Sequence, residues 1–295
     1  NVQARQTDTL FIPIDSVEIH AVLTQPEGGT APLAIIVAGS GPTDLNGNSR
    51  FSQNNSLRFL SDSLVKKGIA TLRYDKRAIG KSVVNNFKES QLTIDRYVKD
   101  LVAIMKHARK EGFQDIFLLG HSEVSLISLI ALQKTDAEGF LSIAGAGRPA
   151  DEILKMQLKP KLPEDAFKQV ENIIDSLKNG KQVQNVPPQY FNLFRPSVQP
   201  YMISWLRYDP GDLVKNLSCP VLIINGDKDL QVGTQDAEKL AKAAGKKSFV
   251  KIRNMNHILK TIEGGQTENL QSYQNPELPV NKKLVKVIAE FILDE

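Results

Sequence analysis

Three side chains far apart in the chain are of the types that make a nucleophilic relay: Ser122, His257 and an aspartate at 227 or 229. A serine hydroxyl attacks poorly until a base takes its proton. A histidine does this well only when a carboxylate fixes its tautomer. Ser122 stands in LLGHSEVSLISL, where a short apolar run meets Gly120-His121-Ser122-Glu123 and a second apolar stretch follows. Read as strand, turn and helix, this segment lifts the hydroxyl at a sharp corner. The plainer alternative is a helix N-cap, for which serine is well suited. Of four histidines, only His257 falls in a loop just after a late strand candidate. His20 lies in the first hairpin, His107 on a helix and His121 beside the serine, and all three are expected to pack rather than react.

An acyl-transfer site also needs two backbone N–H groups aimed where negative charge develops. Glu123, at the start of the helix after the serine, supplies one. The glycine-rich stretch Gly39-Ser40-Gly41 supplies the other, with Ser40 as donor and its glycine neighbours allowing close approach. An ordinary tight turn is the alternative.

Bringing these groups together requires strands that end at a common edge. Strand candidates are 9–12, 17–24, 33–38, 69–74, 115–119, 139–144, 220–225 and 248–253. A short turn from Pro13 to Ser16 makes the first two an antiparallel hairpin. Helical patterns at 56–67, 94–110, 122–133, 234–244 and 281–291 separate the others. Such alternation gives right-handed crossovers and a mostly parallel sheet, and runs such as LAIIVA and PVLIIN suit strands covered on both faces. Sheets of this kind bind ligands beyond the carboxyl ends of their strands. The polar residues at those ends are Gly39 to Asp44, Asp75 to Arg77, His121 and Ser122, Gly226 to Asp229, and Asn254 to His257.

From 147 to 217 the rhythm stops. An amphipathic helix is predicted at 165–179, ending near Gly180, followed by a proline-rich and aromatic stretch. This reads as a helical cap, 148–217, inserted after the sixth strand and dividing the core into 1–147 and 218–295. It is either a lid over a site or a surface elaboration. Tyr190, Phe191, Phe194, Tyr201 and Trp205 are either its own core or a wall against substrate. Phe194 and Trp205 are the substrate contacts expected here, with Asp44 from the core.

Composition narrows the partners. There are 37 basic and 33 acidic residues, a formal charge of +4, with 41% apolar residues. No cationic run suits a nucleic acid, and no apolar run reaches the roughly 18 residues of a membrane helix. Cys219 is the one cysteine, so no disulfide framework and no cysteine-rich metal site exist. No cofactor and no metal are expected. The polar residues 1–7 are expected to fray. The chain opens at Asn1 without methionine, as trimming would leave it; export, with a secretory leader removed, is one expectation.

The stretches VAGSGPTDLNGNS, LRYDKRAIGKS, LLGHSEVS, INGDKDLQV and NMNHILK carry a resemblance along nearly the whole chain. It resembles the α/β-hydrolase superfamily, and most nearly the serine aminopeptidase-like and acyl esterase group of bacterial hydrolases. The resemblance implies an α/β-hydrolase fold with an eight-stranded, mostly parallel sheet and a variable cap. It implies a serine hydrolase cleaving a carboxylic ester through an acyl-enzyme. The order Ser…Asp…His is that of this superfamily. Its Gly-x-x-Asp-x-x-Val pattern fits Gly226, Asp229 and Val232, which makes Asp229 the acid and Asp227 a turn residue. It also implies structural roles for Asp75 and Arg77.

Three positions depart from the family. Ala38 replaces a common histidine, Ala78 a common glycine, and Val124 the glycine two residues after the nucleophile. Valine at 124 is expected to over-pack the crossing of strand and helix and to slow the enzyme. Two rival functions stand beside the esterase. One is a peptidase or amidase with the same triad, its substrate amine held by an acid such as Glu123, Asp44 or Glu164. The other is a non-catalytic binding protein on the same fold.

Overall fold

Leu33–Val37 is five apolar residues in a row, all buried. Their side chains alternate between two separate cores. Leu33, Ile35 and Val37 face one, and Ala34 and Ile36 the other. A strand with both faces covered needs helices on both sides, and this is what the chain builds. The computed structural model describes residues 5–28, 31–245 and 249–294.

The strands are β1 (Arg5–Ile14), β2 (Val17–Pro26), β3 (Leu33–Val37), β4 (Ala70–Tyr74), β5 (Ile116–His121), β6 (Gly139–Ile143), β7 (Val221–Gly226) and β8 (Phe249–Ile252). They form one sheet in the order β1-β2-β4-β3-β5-β6-β7-β8. Pairing is parallel from β4 across to β8, and antiparallel where β2 meets β1 and β4. The helices before the sixth strand are α1 (Ser56–Val65), α2 (Ile94–Lys110) and α3 (Val124–Ala131). Between β6 and β7 lie α4 (Ala150–Leu158), α5 (Glu164–Lys178), α6 (Phe191–Phe194), α7 (Gln199–Leu206) and α8 (Pro210–Lys215). The chain closes with α9 (Thr234–Ala243), α10 (Gln266–Ser272) and α11 (Lys282–Leu293). Helices α1 and α11 cover one face of the sheet; α2, α3, α8 and α9 cover the other.

The strand and helix expectations hold in kind, with local differences. Arg5 to Thr7 do not fray but pair with Pro26, Gln25 and Thr24. Backbone pairing satisfies their peptide groups whatever the side chains are. Residues 1–4, and Ser248 at the start of the last predicted strand, lie outside the described residues. The hairpin turn is only Asp15-Ser16, with Asp15 at φ 55°. Pro13 therefore sits in β1, an edge strand, where a missing N–H is tolerated. Helix α10 was not predicted, because QTENLQS carries almost no apolar periodicity.

The segment between β6 and β7 holds more helix than the one amphipathic run at 165–179 suggested. It has a core of its own, built from Val170, Ile174, Leu177, Tyr190, Phe194 and Leu206 among others. It meets the sheet domain through apolar side chains, Tyr201, Trp205, Leu213 and Val214 among them, and through polar pairs. Arg195 and Ser197 reach Glu89, Ser204 Oγ accepts from the Ile94 N–H at 2.9 Å, and Tyr208 donates to Asp95 at 2.7 Å.

Candidate active site

Ser122 follows β5 with φ 58°, a left-handed conformation that side chains other than glycine rarely adopt. Holding it costs about 1–3 kcal/mol, which the surroundings must supply. The Ser122 N–H donates to the Ile143 carbonyl at 2.9 Å, and the Ser125 N–H donates back to the Ser122 carbonyl at 3.0 Å. The helix therefore begins at Val124, two residues later than predicted, because Ser122 is the corner itself.

Val124 does not crowd that corner. The tight crossing is made elsewhere. A Cβ on Gly120 would lie 2.8 Å from Ser125 Cα, and one on Gly145 would lie 2.4 Å from Ser125 Oγ. Small residues at 120, 125 and 145 thus give the clearance that a glycine at 124 was expected to give. Val124 is fully buried in the apolar core beneath α3.

His257 completes a chain of hydrogen bonds. Its Nε2 lies 3.1 Å from Ser122 Oγ and its Nδ1 lies 2.8 Å from Asp229 Oδ2. Facing a carboxylate, Nδ1 carries the ring proton, which leaves Nε2 to accept from the serine. The Asp229 side chain is wholly buried. Its second oxygen accepts from the Gln231 and Val232 N–H groups at 2.8 and 2.9 Å. Asp227 is an exposed turn residue that accepts from the Asn254 N–H at 2.6 Å and does not reach the histidine.

The histidine loop is itself anchored. Asn256, fully buried, donates to Asn269 Oδ1 and Ser272 Oγ of α10, both at 2.9 Å, and accepts from the Lys260 N–H. His121 donates through Nε2 to the His257 carbonyl at 2.7 Å. Burial pushes the His121 pKa down to about 4, so this ring is neutral. Its packing role beside the serine is as expected.

Asp75 accepts from the Leu45 and Lys81 N–H groups at 2.8 and 3.0 Å and bonds His20 Nδ1 at 2.8 Å. Arg77 pairs through two nitrogens with Asp100 at 2.9 and 2.5 Å. Both residues tie loops together, the structural role the resemblance implied.

On the other side of the serine, Gly39 backs onto the corner. A Cβ there would lie 3.3 Å from Ser122 Cβ. Among the described residues, neither the Ser40 N–H nor the Glu123 N–H has an acceptor. Two cavities flank this loop. A small polar one, of about 130 Å³, is lined by Ser40, Asn54, Ser122, Gln231, His257 and Tyr273 among others. A larger, mostly apolar one, of about 440 Å³, takes in Lys76, Leu92, Tyr97, Glu123, Val198 and Tyr201.

Three predicted substrate contacts lie elsewhere. Asp44 accepts from the Asn46 and Asn48 N–H groups at 2.9 and 2.8 Å and shapes its own loop. Phe194 is fully buried in the core of the β6–β7 segment. Trp205 packs against both apolar cores, with its ring 6.5 Å from that of Tyr201. The aromatic from this segment that reaches a cavity is Tyr201, whose hydroxyl donates to Glu123 Oε1 at 2.6 Å. Lys76, Tyr97 and Tyr273 were missed as lining residues. Lys76 was discernible as a charge directly after a buried strand.

The family model for serine aminopeptidase, S33, matches residues 54–210, more than half of the chain. The chain belongs to this family. The match takes in Ser122 and ends before Asp229 and His257, so those two rest on the geometry above. Esterase EstD of Thermotoga maritima is 29% identical over 251 residues, 83% of this chain and 59% of that protein. The chain thus spans 59% of the length of the curated relative it matches. Among solved structures, Est1E from Butyrivibrio proteoclasticus superposes with a TM-score of 0.61 at 18% identity, over 97% of this chain and 98% of that one. Proline iminopeptidase from Mycobacterium smegmatis does so with a TM-score of 0.63 at 14% identity, over 97% and 98%. The fold is that of the α/β hydrolases.

Proposed function

We propose that this protein is a carboxylic ester hydrolase working through an acyl-enzyme on Ser122. The observation that carries the reading is the continuous relay from the strained serine through His257 to Asp229, at 3.1 and 2.8 Å. Ser122 Oγ attacks the ester carbonyl as its proton passes to His257 Nε2. The carbonyl oxygen becomes an oxyanion and takes hydrogen bonds from the Ser40 and Glu123 N–H groups. As the tetrahedral adduct collapses, the carbonyl–oxygen bond to the alcohol breaks and His257 returns the proton to the leaving oxygen. Water then repeats the sequence, with His257 as base, and releases the acid. The Asp229 carboxylate holds the His257 ring and stabilises the imidazolium.

The likeness to an esterase in sequence favours an ester over an amide. The segment 148–217 acts as a cap that shapes the larger cavity through Arg195, Val198 and Tyr201. A small polar cavity at Ser122 and a larger apolar one that begins at its neighbour Glu123 suit an ester whose two arms differ, one compact and polar, the other apolar.

The test is a panel of nitrophenyl esters of graded acyl length, with aminoacyl nitroanilides alongside. Ester turnover is expected, falling ~10⁴-fold or more in Ser122→Ala, because such residues act as a unit. Preference for the anilides would replace the reading with an amidase. A variant that keeps over about a tenth of wild-type turnover would remove Ser122 from the role.

A further inference from the structure

Lys76 follows β4 directly and is 3% exposed. The relay from Ser122 to Asp229 makes no use of it. An ammonium taken out of water costs several kcal/mol unless partners replace the lost hydration. Its partners here are specific. The Lys76 ammonium donates to the Gly39 carbonyl, and to the Gly41 carbonyl at 3.1 Å. It also lies 5.7 Å from the centre of the Tyr97 ring. Burial pushes its pKa down to about 8, an effect that the nearby Glu123 charge opposes. Among the described residues, no other group donates to the Gly39 carbonyl.

That carbonyl shares a peptide unit with the Ser40 N–H. The unit is planar and trans, so its C=O and N–H point in opposite directions. Fixing the oxygen on Lys76 therefore fixes the direction of the Ser40 hydrogen. The same charge polarises the peptide and makes its N–H a stronger donor. The following carbonyls are held as well. Thr43 Oγ1 donates to the Ser40 carbonyl and the Thr43 N–H to the Gly41 carbonyl, both at 2.9 Å. Gly39, packed 3.3 Å from Ser122 through its Cβ position, leaves this loop little freedom on its inner side.

We propose that Lys76 is a positioning residue for ester hydrolysis: by anchoring the Gly39 and Gly41 carbonyls it aims the Ser40 N–H at the oxyanion before substrate arrives. This rests on the reading of Ser122 as nucleophile. Its action is on the transition state, because the donor is aimed at an oxygen that carries full charge only there.

The experiment begins with the wild-type protein, a fluorophosphonate probe and peptide mapping. Failure to label Ser122 would sink the nucleophile reading, whatever Lys76 does. With Ser122 labelled, Lys76→Met is compared with the wild type on one ester. The expected result is a loss of ~10–100-fold in kcat with KM within about 3-fold, part of the ~10²–10³ carried by a whole donor. Affinity for an alkyl boronic acid, which forms a tetrahedral adduct on the serine, should fall by a similar factor. Lys76→Arg, which keeps charge and donors, should retain more activity than the methionine variant. A folded Lys76→Met with unchanged kcat overturns the proposal. So does a rise in KM alone, which would assign the lysine to substrate binding. If the methionine variant does not fold, Lys76→Gln is read by the same split. Loss of folding in both variants would assign the lysine to stability and likewise overturn the proposal.

Discussion

The edge of the sheet and the helical segment between β6 and β7 hold their residues by different means. At the sheet edge the side chains of Asp229, Asn256 and Asp75 are each held by several directed hydrogen bonds. Asp229 is gripped by two N–H groups and a histidine, Asn256 by three side-chain and backbone bonds, Asp75 by two loop N–H groups and His20 of β2. The helical segment folds around its own apolar core and meets the sheet domain through apolar side chains such as Trp205 and Val214 and polar pairs such as Arg195–Glu89 and Tyr208–Asp95. Directed bonds fix a reacting geometry to within fractions of an ångström; an apolar core fixes only a shape. On the proposed function, the difference separates rate from selectivity. Substitutions at the edge should change how fast it works, and substitutions in the segment what it accepts or how stable it is.

The largest effect expected on that basis is at Asp229. Asp229→Asn removes the carboxylate that sets the His257 tautomer, and turnover should fall ~10⁴-fold with folding retained. Asp227→Asn, two residues away, changes only a turn and should cost less than about tenfold. Steady-state kinetics on one ester decides between them. Equal losses would mean that the grip on His257 is shared, and the contrast between edge and segment would weaken.

Within the segment, Phe194→Ala empties a fully buried site and should cost ~3–5 kcal/mol of stability. Relative rates across the ester panel should hold, because the ring lines neither cavity. Val198→Phe does the opposite. It narrows the larger cavity and should shift preference toward smaller apolar groups at little cost in stability. Denaturant melts and the ester panel read both variants. A change of preference in Phe194→Ala would show that the segment's core and its cavity wall are coupled.

Val124 tests the edge from beneath. Val124→Gly removes three buried carbons from the core under α3 and should cost about 2–4 kcal/mol. It should leave turnover within about threefold, because Gly120 and Gly145 already provide the clearance at the serine corner. A rise of tenfold or more in turnover, measured on folded protein, would mean that the valine strains the Glu123 N–H after all.

These contrasts also explain what could be read from sequence. LAIIV and PVLIIN are strands on any apolar scale, and Ser122, Asp229 and His257 follow β5, β7 and β8, so this candidate relay was legible before any coordinates. The segment was not. Its order comes from one apolar cluster that joins Val170, Phe194 and Leu206, which no local period announces. Phe194 and Trp205 look alike as aromatics among prolines, yet one is core and the other a hinge between cores, while Tyr201 alone reaches Glu123. Asp44 looked like a free acid at a strand end. Only the fold shows both Asn46 and Asn48 donating to it. Lys76 could be placed at a strand end, but its role was hidden for the same reason, since a carbonyl partner leaves no mark in the sequence.

The smallest effect lies in the turn after β4, where two neighbours share a left-handed backbone for different reasons. Gly80 has φ 53°, and a Cβ there would fall 2.3 Å from an Asp75 carboxylate oxygen, so glycine is required by space as well as by conformation. Ala78 has φ 64° and its N–H donates to the Ser82 carbonyl at 2.9 Å. Its methyl only touches the larger cavity. An alanine held left-handed costs roughly 1–2 kcal/mol relative to a residue without a Cβ. Glycine gives back about 0.4–1 kcal/mol through the greater freedom of the unfolded chain. Ala78→Gly should therefore stabilise the protein by about 0.5–1 kcal/mol, with turnover unchanged, as read by denaturant midpoint and one ester assay. A loss of stability would mean that the Ala78 methyl contributes more packing than its cavity position allows. Altered turnover would mean that this turn, through Asp75 and its bond to the Leu45 N–H, also sets the loop that carries Ser40.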